Sequence, residues 1–340
     1  MFLLGTVYRP EQKIKCERVD IMTVSPVGLK RSDFKSRLAN TGRNILKNKD
    51  KYLLILPGLV WYVVFAYIPI YGLTLAFKKY IAKLGLFGSP FVGLYNFENV
   101  FADPAFMKSI YTTLRINAGR LIFVFPFPIL LALIFNEVRL GKSKKILQSI
   151  FTFPHFLSWV IVGSIMISVL GQRGVVNSVL NLLFGKDPIG FLGTPSLFQP
   201  IVYLTDIWKS AGWSAIIYMA AISGIDIEQY QAAEIDGSTR LQRIWYITLP
   251  GIKSTIIVLF ILAVGNLMSG GFDQIFNLSN PATIRVAETL DMYIYRITFR
   301  GSVDFSFSAA VALFRSTINL ILLLTADRVI KRIGGSGLLA

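Results

Sequence analysis

The sequence predicts an all-α membrane protein with six transmembrane helices, on three observations. Only 16% of the 340 residues are charged and 54% are hydrophobic, whereas a soluble domain carries about 25% charged residues. Uncharged runs such as Tyr52–Phe77, Ile146–Gln172 and Ser254–Phe272 are long enough to cross about 30 Å of hydrocarbon at about 1.5 Å rise per residue. The basic residues, finally, fall unevenly on the two sides that those runs define.

The first span is expected over Tyr52–Phe77 and the second over Thr113–Phe135, with Arg115 and Arg120 near its start. The third is expected over Ile146–Leu170, and the fourth over Ile201–Ile222, carrying Asp206 and Lys209. The fifth runs over Ser254–Phe272 and the sixth over Phe305–Ala326, carrying Arg315. Pro57, Pro69, Pro126 and Pro128 lie within spans, where neighbouring groups can satisfy the freed carbonyl, and local kinks are expected. The chain thus divides into a basic segment 1–51, a transmembrane domain 52–327 that contains the loop 228–250, and a tail 328–340.

The net charge is +16, from 35 Lys and Arg against 19 Asp and Glu. A nucleic-acid binder would carry a basic face with interleaved aromatics on a folded soluble domain, and none is visible. The membrane accounts for the charge instead, because basic residues collect in cytoplasmic loops. With a cytoplasmic N-terminus, 22 Lys and Arg lie on that side and nine on the other. Both termini, and the segment 231–250, are therefore expected in the cytoplasm. The N-terminus lacks the short apolar stretch and small-residue site of a cleaved signal, and Met22 is an alternative start to Met1. The single cysteine, Cys16, and single histidine, His155, allow no internal disulfide and no Cys/His metal cluster.

Segment 231–250 is a loop by position but not by composition. Two helix-prone runs flank Asp236-Gly237-Ser238, predicting a short helix, a sharp bend and a second short helix. Ala232 and Ala233 allow close approach to a partner, and Gly237 can take the positive φ of a helix end. Ser238 is the expected N-cap of the second helix, and Pro250 is expected to move Leu249 out of helical conformation and stop it. Leu241, Ile244, Trp245 and Thr248 would give that helix an apolar side. Read without any family, the segment is equally an amphipathic connector resting on the membrane surface.

Ala-Ala, three residues, Gly, nine residues, Ile-x-Leu-Pro resembles the cytoplasmic loop of permease subunits of binding-protein-dependent ABC importers. The match lies at Ala232, Ala233, Gly237, Ile247, Leu249 and Pro250, and departs at Gln231, where the family pattern has Glu. Gln keeps the reach of Glu and loses its charge. The resemblance covers about 52–332. Tyr67-Ile68-Pro69-Ile70-Tyr71-Gly72 with Ala76-Phe77, and Phe91-Val92-Gly93-Leu94-Tyr95-Asn96-Phe97, are similar to the first span and first external loop of oligosaccharide- and polysaccharide-type sugar permeases. Gly271-Phe272-Asp273-Gln274-Ile275-Phe276-Asn277 and Asp291-Met292-Tyr293-Ile294-Tyr295-Arg296 are similar to their last external loop.

The resemblance implies a type I importer permease fold in a bacterial inner membrane. It implies that 228–250 is a coupling helix seated on an ATPase, through which ATP hydrolysis drives alternating access. It also implies a second homologous permease subunit, two cytoplasmic ATPase subunits, an extracytoplasmic solute-binding protein, and a saccharide substrate, with alginate- and pectin-type uronate chains among those possible. ATP and Mg would be bound by the ATPase, leaving no cofactor in this chain.

Gly141-Lys142-Ser143 resembles the end of a phosphate loop, but Asn136 stands where that motif needs glycine and a span precedes it instead of a strand. No zincin motif, nucleophile elbow or paired His/Cys site is visible, so a non-catalytic subunit is expected. Two other classes remain as alternatives: an ion-coupled secondary transporter, which would show inverted repeats with broken midplane helices, and a polytopic membrane enzyme.

Sugars are held by aromatic faces and by polar groups on their hydroxyls, and ionisable groups inside a membrane are functional candidates. The pathway candidates are Arg120, His155, Trp159, Trp208, Lys209, Trp213, Asn266 and Arg315. Asp206 and Lys209, three apart, are expected to neutralise each other, and Arg115 and Arg120 to snorkel outward. For a uronate substrate, an unpaired Arg120 or Arg315 facing a cavity would make electrostatic sense. For His155, the tryptophans and Asn266, core packing or an interfacial belt is the competing role.

Overall fold

Proline placement accounts for three of the four π-helical turns among the described residues, Arg296–Arg300 being the exception. In the computed structural model, which describes residues 47–138, 141–300, 304–332 and 337–338, the π-helical turns Val63–Tyr67, Arg120–Val124 and Ile244–Thr248 each end two residues before a proline: Pro69, Pro126 and Pro250. Proline has no N–H, and its ring presses on the preceding turn. The chain accommodates it by widening one turn rather than by breaking. The amide of Phe125 bonds the Arg120 carbonyl at 2.9 Å, and the amide of Leu249 bonds the Ile244 carbonyl, each five residues back. Pro250 therefore does not stop the second loop helix as expected. Leu249 stays helical at φ −63° and ψ −44°, and the helix runs on to Gly251.

The chain divides into two units, Met1–Tyr67 and Ile68–Ala340. Most of the expected basic segment 1–51, with both candidate starts Met1 and Met22, lies outside the described residues. The described part of the first unit is helix α1 (Lys49–Tyr62), continued by the turn Val63–Tyr67. It has no buried side chain, as suits an apolar helix whose solvent is lipid.

The second unit begins with a 3₁₀ helix, Ile68–Phe77. Helix α2 (Tyr95–Ala102) leads to α3 (Pro104–Gly119), whose N-cap Asp103 accepts from the Ala105 amide. After the π turn, α4 (Pro126–Glu137) completes one 34-residue candidate span, Pro104–Glu137, longer than the expected Thr113–Phe135. Helices α5 (Gly141–Thr152) and α6 (Trp159–Leu170) replace the expected single third span. The apolar run breaks at a 3₁₀ turn, Phe153–Phe156, around Pro154, and Ser158 then caps α6 by accepting from the Ile161 amide. Periodicity and hydropathy do not register such a break; the proline and the capping serine make it.

Helix α7 (Val175–Phe184) precedes α8 (Pro195–Ser223), which outruns the expected Ile201–Ile222 at both ends. Next come α9 (Ile227–Ile235) and α10 (Arg240–Arg243), the latter extended through the π turn to Gly251. Helix α11 (Lys253–Gly265) is shorter than the expected span Ser254–Phe272, because the chain leaves helical conformation at Asn266–Gly271 before α12 (Phe272–Leu278). Helix α13 (Leu290–Tyr295) and the long α14 (Phe305–Arg332) follow.

Among the described residues, four helical segments are long and apolar enough to cross a membrane, and up to six if each of two bent pairs counts as one span. In those pairs α8 meets α9 at 74°, and Arg240–Gly251 meets α11 at 61°. The segment between the two bends is thus turned away from the spans that flank it.

Packing places α8 at the centre of the second unit. Ala215, Tyr218 and Ile222 of α8 bury against Ala132 and Leu133 of α4 and Ile252. Phe198 and Val202 bury with Ile116 of α3 and Ile275 of α12. A third cluster joins Ala76, Phe106, Tyr293 and Val311. Gly212 lets α8 pass directly against α5: a Cβ there would lie 2.1 Å from the Phe151 carbonyl oxygen, the small-residue contact by which membrane helices approach closely.

Candidate functional site

The segment 226–251 is built from local capping. Asp226 caps α9 by accepting from the Glu228 amide. At the other end the Ser238 amide bonds the Ala233 carbonyl at 2.9 Å and the Gly237 amide bonds the Glu234 carbonyl at 3.1 Å. This pair of bonds is a Schellman motif, which requires a left-handed residue between them, and Gly237 supplies it at φ +75°. Ser238 does not cap the next helix as expected. Thr239 does: its Oγ1 accepts from the Gln242 amide while the Gln242 side chain accepts from the Thr239 amide. That capping box needs a Thr-x-x-Gln spacing, which residues 239–242 supply and Ser238, with Leu241 three residues on, does not.

Two contacts close the bend across its inside. Arg243 pairs with Glu234 at 3.4 Å, and the Tyr230 hydroxyl lies 2.9 Å from Thr248 Oγ1. The outside is apolar: Ile235 is 87% exposed, Tyr246 80% and Leu241 70%. The expected apolar side therefore divides. Thr248 is buried, Leu241 and Trp245 are exposed, and Leu241, Ile244, Trp245 and Leu249 face the end of α4 across a cavity of about 630 Å³. Gln231 and Ala232 are exposed, and Ala233 is half-buried.

A second feature is a cavity of about 430 Å³ beside α8, lined by α3, α4, α8 and α11. Its polar end carries Asn117, Arg120, Asp206, Ser210, Asn266 and Ser269. Of the eight pathway candidates, Arg120 and Asn266 line it. Arg120 is not snorkelling: its Nε lies 3.2 Å from Asp206 Oδ2, with the two side chains 17% and 19% exposed. Asp206 therefore ion-pairs with Arg120 on the π turn after α3, not with Lys209 as expected, because the Lys209 ammonium turns to the His155 carbonyl.

The rest of the Arg120 fork serves the broken helix at Asn266–Gly271. Arg120 Nη1 donates to the Gly270 carbonyl at 3.1 Å and to Asn117 Oδ1 at 2.9 Å, and Nη2 donates to Gln274 Oε1 at 2.5 Å. Asn117 donates to the Leu267 and Ser269 carbonyls, the Met268 amide donates to Asn319, and the Gly270 amide donates to Asp291. Non-helical backbone at membrane depth must find partners inside the protein, and these side chains provide them. Gln274 also donates to the Val202 carbonyl and Thr205 on α8. Asn117 and Asn319 were not singled out from sequence, and Gln274 and Asp291 entered only as members of the last-external-loop motifs. The signal they leave is weak: three amides and one carboxylate in or beside apolar segments, opposite a Gly270-Gly271 pair.

Arg315 is also paired, with Asp291. Neither arginine thus meets the expectation of an unpaired cation facing a cavity. Arg115 is exposed. Nearby, the buried Tyr293 hydroxyl donates to Asp103 Oδ2 at 2.5 Å. Burial first, and this bond second, push its ionisation above the usual tyrosine range.

The remaining candidates except Trp208 form a cluster of their own. His155 stacks on Trp213 with ring centroids 4.6 Å apart. Lys209 Nζ donates to the His155 carbonyl at 2.6 Å and sits 5.4 Å over the Trp159 ring. Trp208 is 42% exposed and outside this group.

Comparison with known proteins agrees with this architecture. In a crystal structure of a bacterial ABC transporter involved in the import of the acidic polysaccharide alginate, one chain matches with a TM-score of 0.78 and 36% identity, covering 86% of this chain and 99% of that one. The structure of the alginate transporter in complex with an alginate pentasaccharide-bound periplasmic protein matches equally, with 87% and 99% covered. The chain is 42% identical over 294 residues to the polygalacturonan/rhamnogalacturonan transport system permease protein YteP of Bacillus subtilis (strain 168), covering 86% of this chain and 91% of that protein. It is 39% identical to protein LplB of the same organism, covering 86% and 92%. Residues 125–335 match the binding-protein-dependent transport system inner membrane component, and the chain belongs to that family.

Proposed function

We propose that this permease imports an acidic, uronate-containing oligosaccharide, and that residues 226–251 receive the stroke of a cytoplasmic ATPase. The substrate reading is supported by similarity over nine-tenths of a polygalacturonan/rhamnogalacturonan permease and by a likeness to the alginate importer. The coupling reading rests on one observation above the others: a rigidly capped pair of helices, bent away from the spans that flank it, with large apolar side chains exposed on its outside. Exposed apolar surface on this scale marks an interaction site. Gln231, Ala232, Ala233, Gly237, Ile247, Leu249 and Pro250 are the residues assigned to it.

On this reading both termini are cytoplasmic, a second related permease subunit completes the pore, two ATPase subunits bind the ATP and Mg, and a solute-binding protein delivers the saccharide. The cavity beside α8, with Arg120 and Asn266, is part of the path. An ion-driven carrier has no use for a docking element of this kind. The test is cross-linking. With Cys16 replaced by serine, a single cysteine at Ala232 should cross-link to a cysteine in the ATPase and do so differently with and without ATP. No cross-link from Ala232, together with one from an external position such as Phe87, would overturn the assignment.

A further inference from the structure

Among the described residues of the second unit, the buried charges are not all ion-paired. Arg120 pairs with Asp206 and Arg315 with Asp291, which leaves Lys209. This side chain is 93% buried, at 7% exposure, and among the described residues no carboxylate lies within ion-pairing distance of it. Its ammonium has three donors; the structure shows one in use, on the His155 carbonyl, and the Trp159 ring beneath it. Asp206, one turn back on α8, acts on it from beyond ion-pairing distance, and a buried ammonium without an ion-paired carboxylate is costly. His155 Nδ1 beside it is likewise buried without a hydrogen-bond partner.

The cluster lies at one end of a track. Lys209, Trp213, Ile216, Ala220 and Ser223 recur at helical spacing along one face of α8, a run of about 21 Å at about 1.5 Å per residue. The last three line a cavity of about 920 Å³ between α8 and α5, and Phe156, which packs edge-on against Trp213, lines it too. The far side of that cavity carries Lys144 and Lys145, with Gln148 and Ser149 between. Among the described residues, no Asp or Glu lines it. Lysines in the cavity wall, Lys209 beyond its lining on the same face of α8, and aromatic, amide and hydroxyl groups between them match a chain of sugars that carries carboxylates: ring C–H faces stack on aromatics, hydroxyls meet the polar groups, and carboxylates meet lysines.

We propose that Lys209, with the His155–Trp213 stack and Trp159, is the station that recognises the substrate's carboxylate, and that the α8–α5 cavity carries the saccharide from it. The proposal rests on the acidic-oligosaccharide reading above and deepens it: the selecting charge is Lys209, not the paired Arg120 or Arg315.

The test is direct binding to the assembled permease–ATPase complex without the solute-binding protein, read by tryptophan fluorescence. The probes are oligogalacturonate and its methyl ester, which keeps the size and loses the charge. Wild type should bind the acid more tightly than the ester. Lys209→Gln should weaken the acid about tenfold and leave the ester unchanged, while Lys209→Arg keeps most of the preference. Equal weakening of acid and ester would make Lys209 structural and overturn the proposal. So would an unchanged acid affinity, or a signal displaced by anionic phospholipid and not by the saccharide. Separate import assays on the full wild-type importer distinguish the underlying reading: if it imports neutral oligosaccharides and no oligogalacturonate, that reading fails, and this proposal with it.

Discussion

Gly237→Ala is the sharpest perturbation of the proposed coupling segment. Gly237 sits at φ +75° in the Schellman turn, and a Cβ there would meet nothing within 4 Å. The substitution is therefore sterically free, and its cost is confined to backbone conformation. For a residue with a Cβ the left-handed region costs about 1–2 kcal/mol, which lowers the ratio of intact to opened bend by a factor of about 5–30. Because the Ser238-to-Ala233 and Gly237-to-Glu234 bonds form only with that conformation, α9 frays and the Arg243–Glu234 pair loosens with it. In the reconstituted importer, substrate-stimulated ATPase activity should fall several-fold while the subunits still assemble. Gly237→Asn should retain more activity than Gly237→Ala, since Asn tolerates the left-handed region, and Gly237→Val should be worst. Equal activity for Ala, Asn and Val would refute the claim that this turn transmits force.

Three further outcomes follow from other parts of the molecule. Thr239→Ala removes the second helix's cap, at a cost of about 1 kcal/mol, and should lower ATPase stimulation with no change in solute-binding-protein affinity; Thr239→Ser should restore it. Arg120→Met leaves Asp206 and the Gly270 carbonyl without their partner, and loss of one half of a buried pair costs about 3–5 kcal/mol. The complex should melt well below wild type, and Arg120→Met with Asp206→Leu should recover part of the loss in a thermal-shift assay. Tyr293 ionises above the usual value of about 10. The fold holds its neutral form, so its contribution is complete below about pH 10 and declines as pH rises through and above that value. Tyr293→Phe should therefore be less stable than wild type near neutral pH and show a flatter alkaline loss, seen in melting temperatures taken from about pH 8 to 11.

The legible parts of the fold were those written in local chemistry. Uncharged runs mark membrane-crossing helices because hydrocarbon admits little else, and Gly237 marks its turn because only glycine enters that region without cost. The capping box is also written in local chemistry, as Thr239-x-x-Gln242, but the sequence expectation placed the cap one residue early, at Ser238. What sequence could not supply is tertiary. Asp206 and Lys209 are neighbours on paper, yet one turns to Arg120 on α3 and the other to the turn before α6. The uncharged run Ser254–Phe272 reads as a full span, yet Asn117, Arg120, Asp291 and Asn319, all remote in sequence, satisfy a break in it at Asn266–Gly271. Arg120, placed by sequence near a helix end, is instead the hub of that repair.

We have proposed that this permease imports acidic oligosaccharides with energy delivered by a partner ATPase. This is tested most directly by loading proteoliposomes that contain the complete importer with ATP inside and presenting labelled oligogalacturonate with the solute-binding protein outside. Uptake should require ATP, magnesium and the binding protein, and should persist when ion gradients are collapsed. Uptake that runs without ATP on a proton or sodium gradient would contradict it.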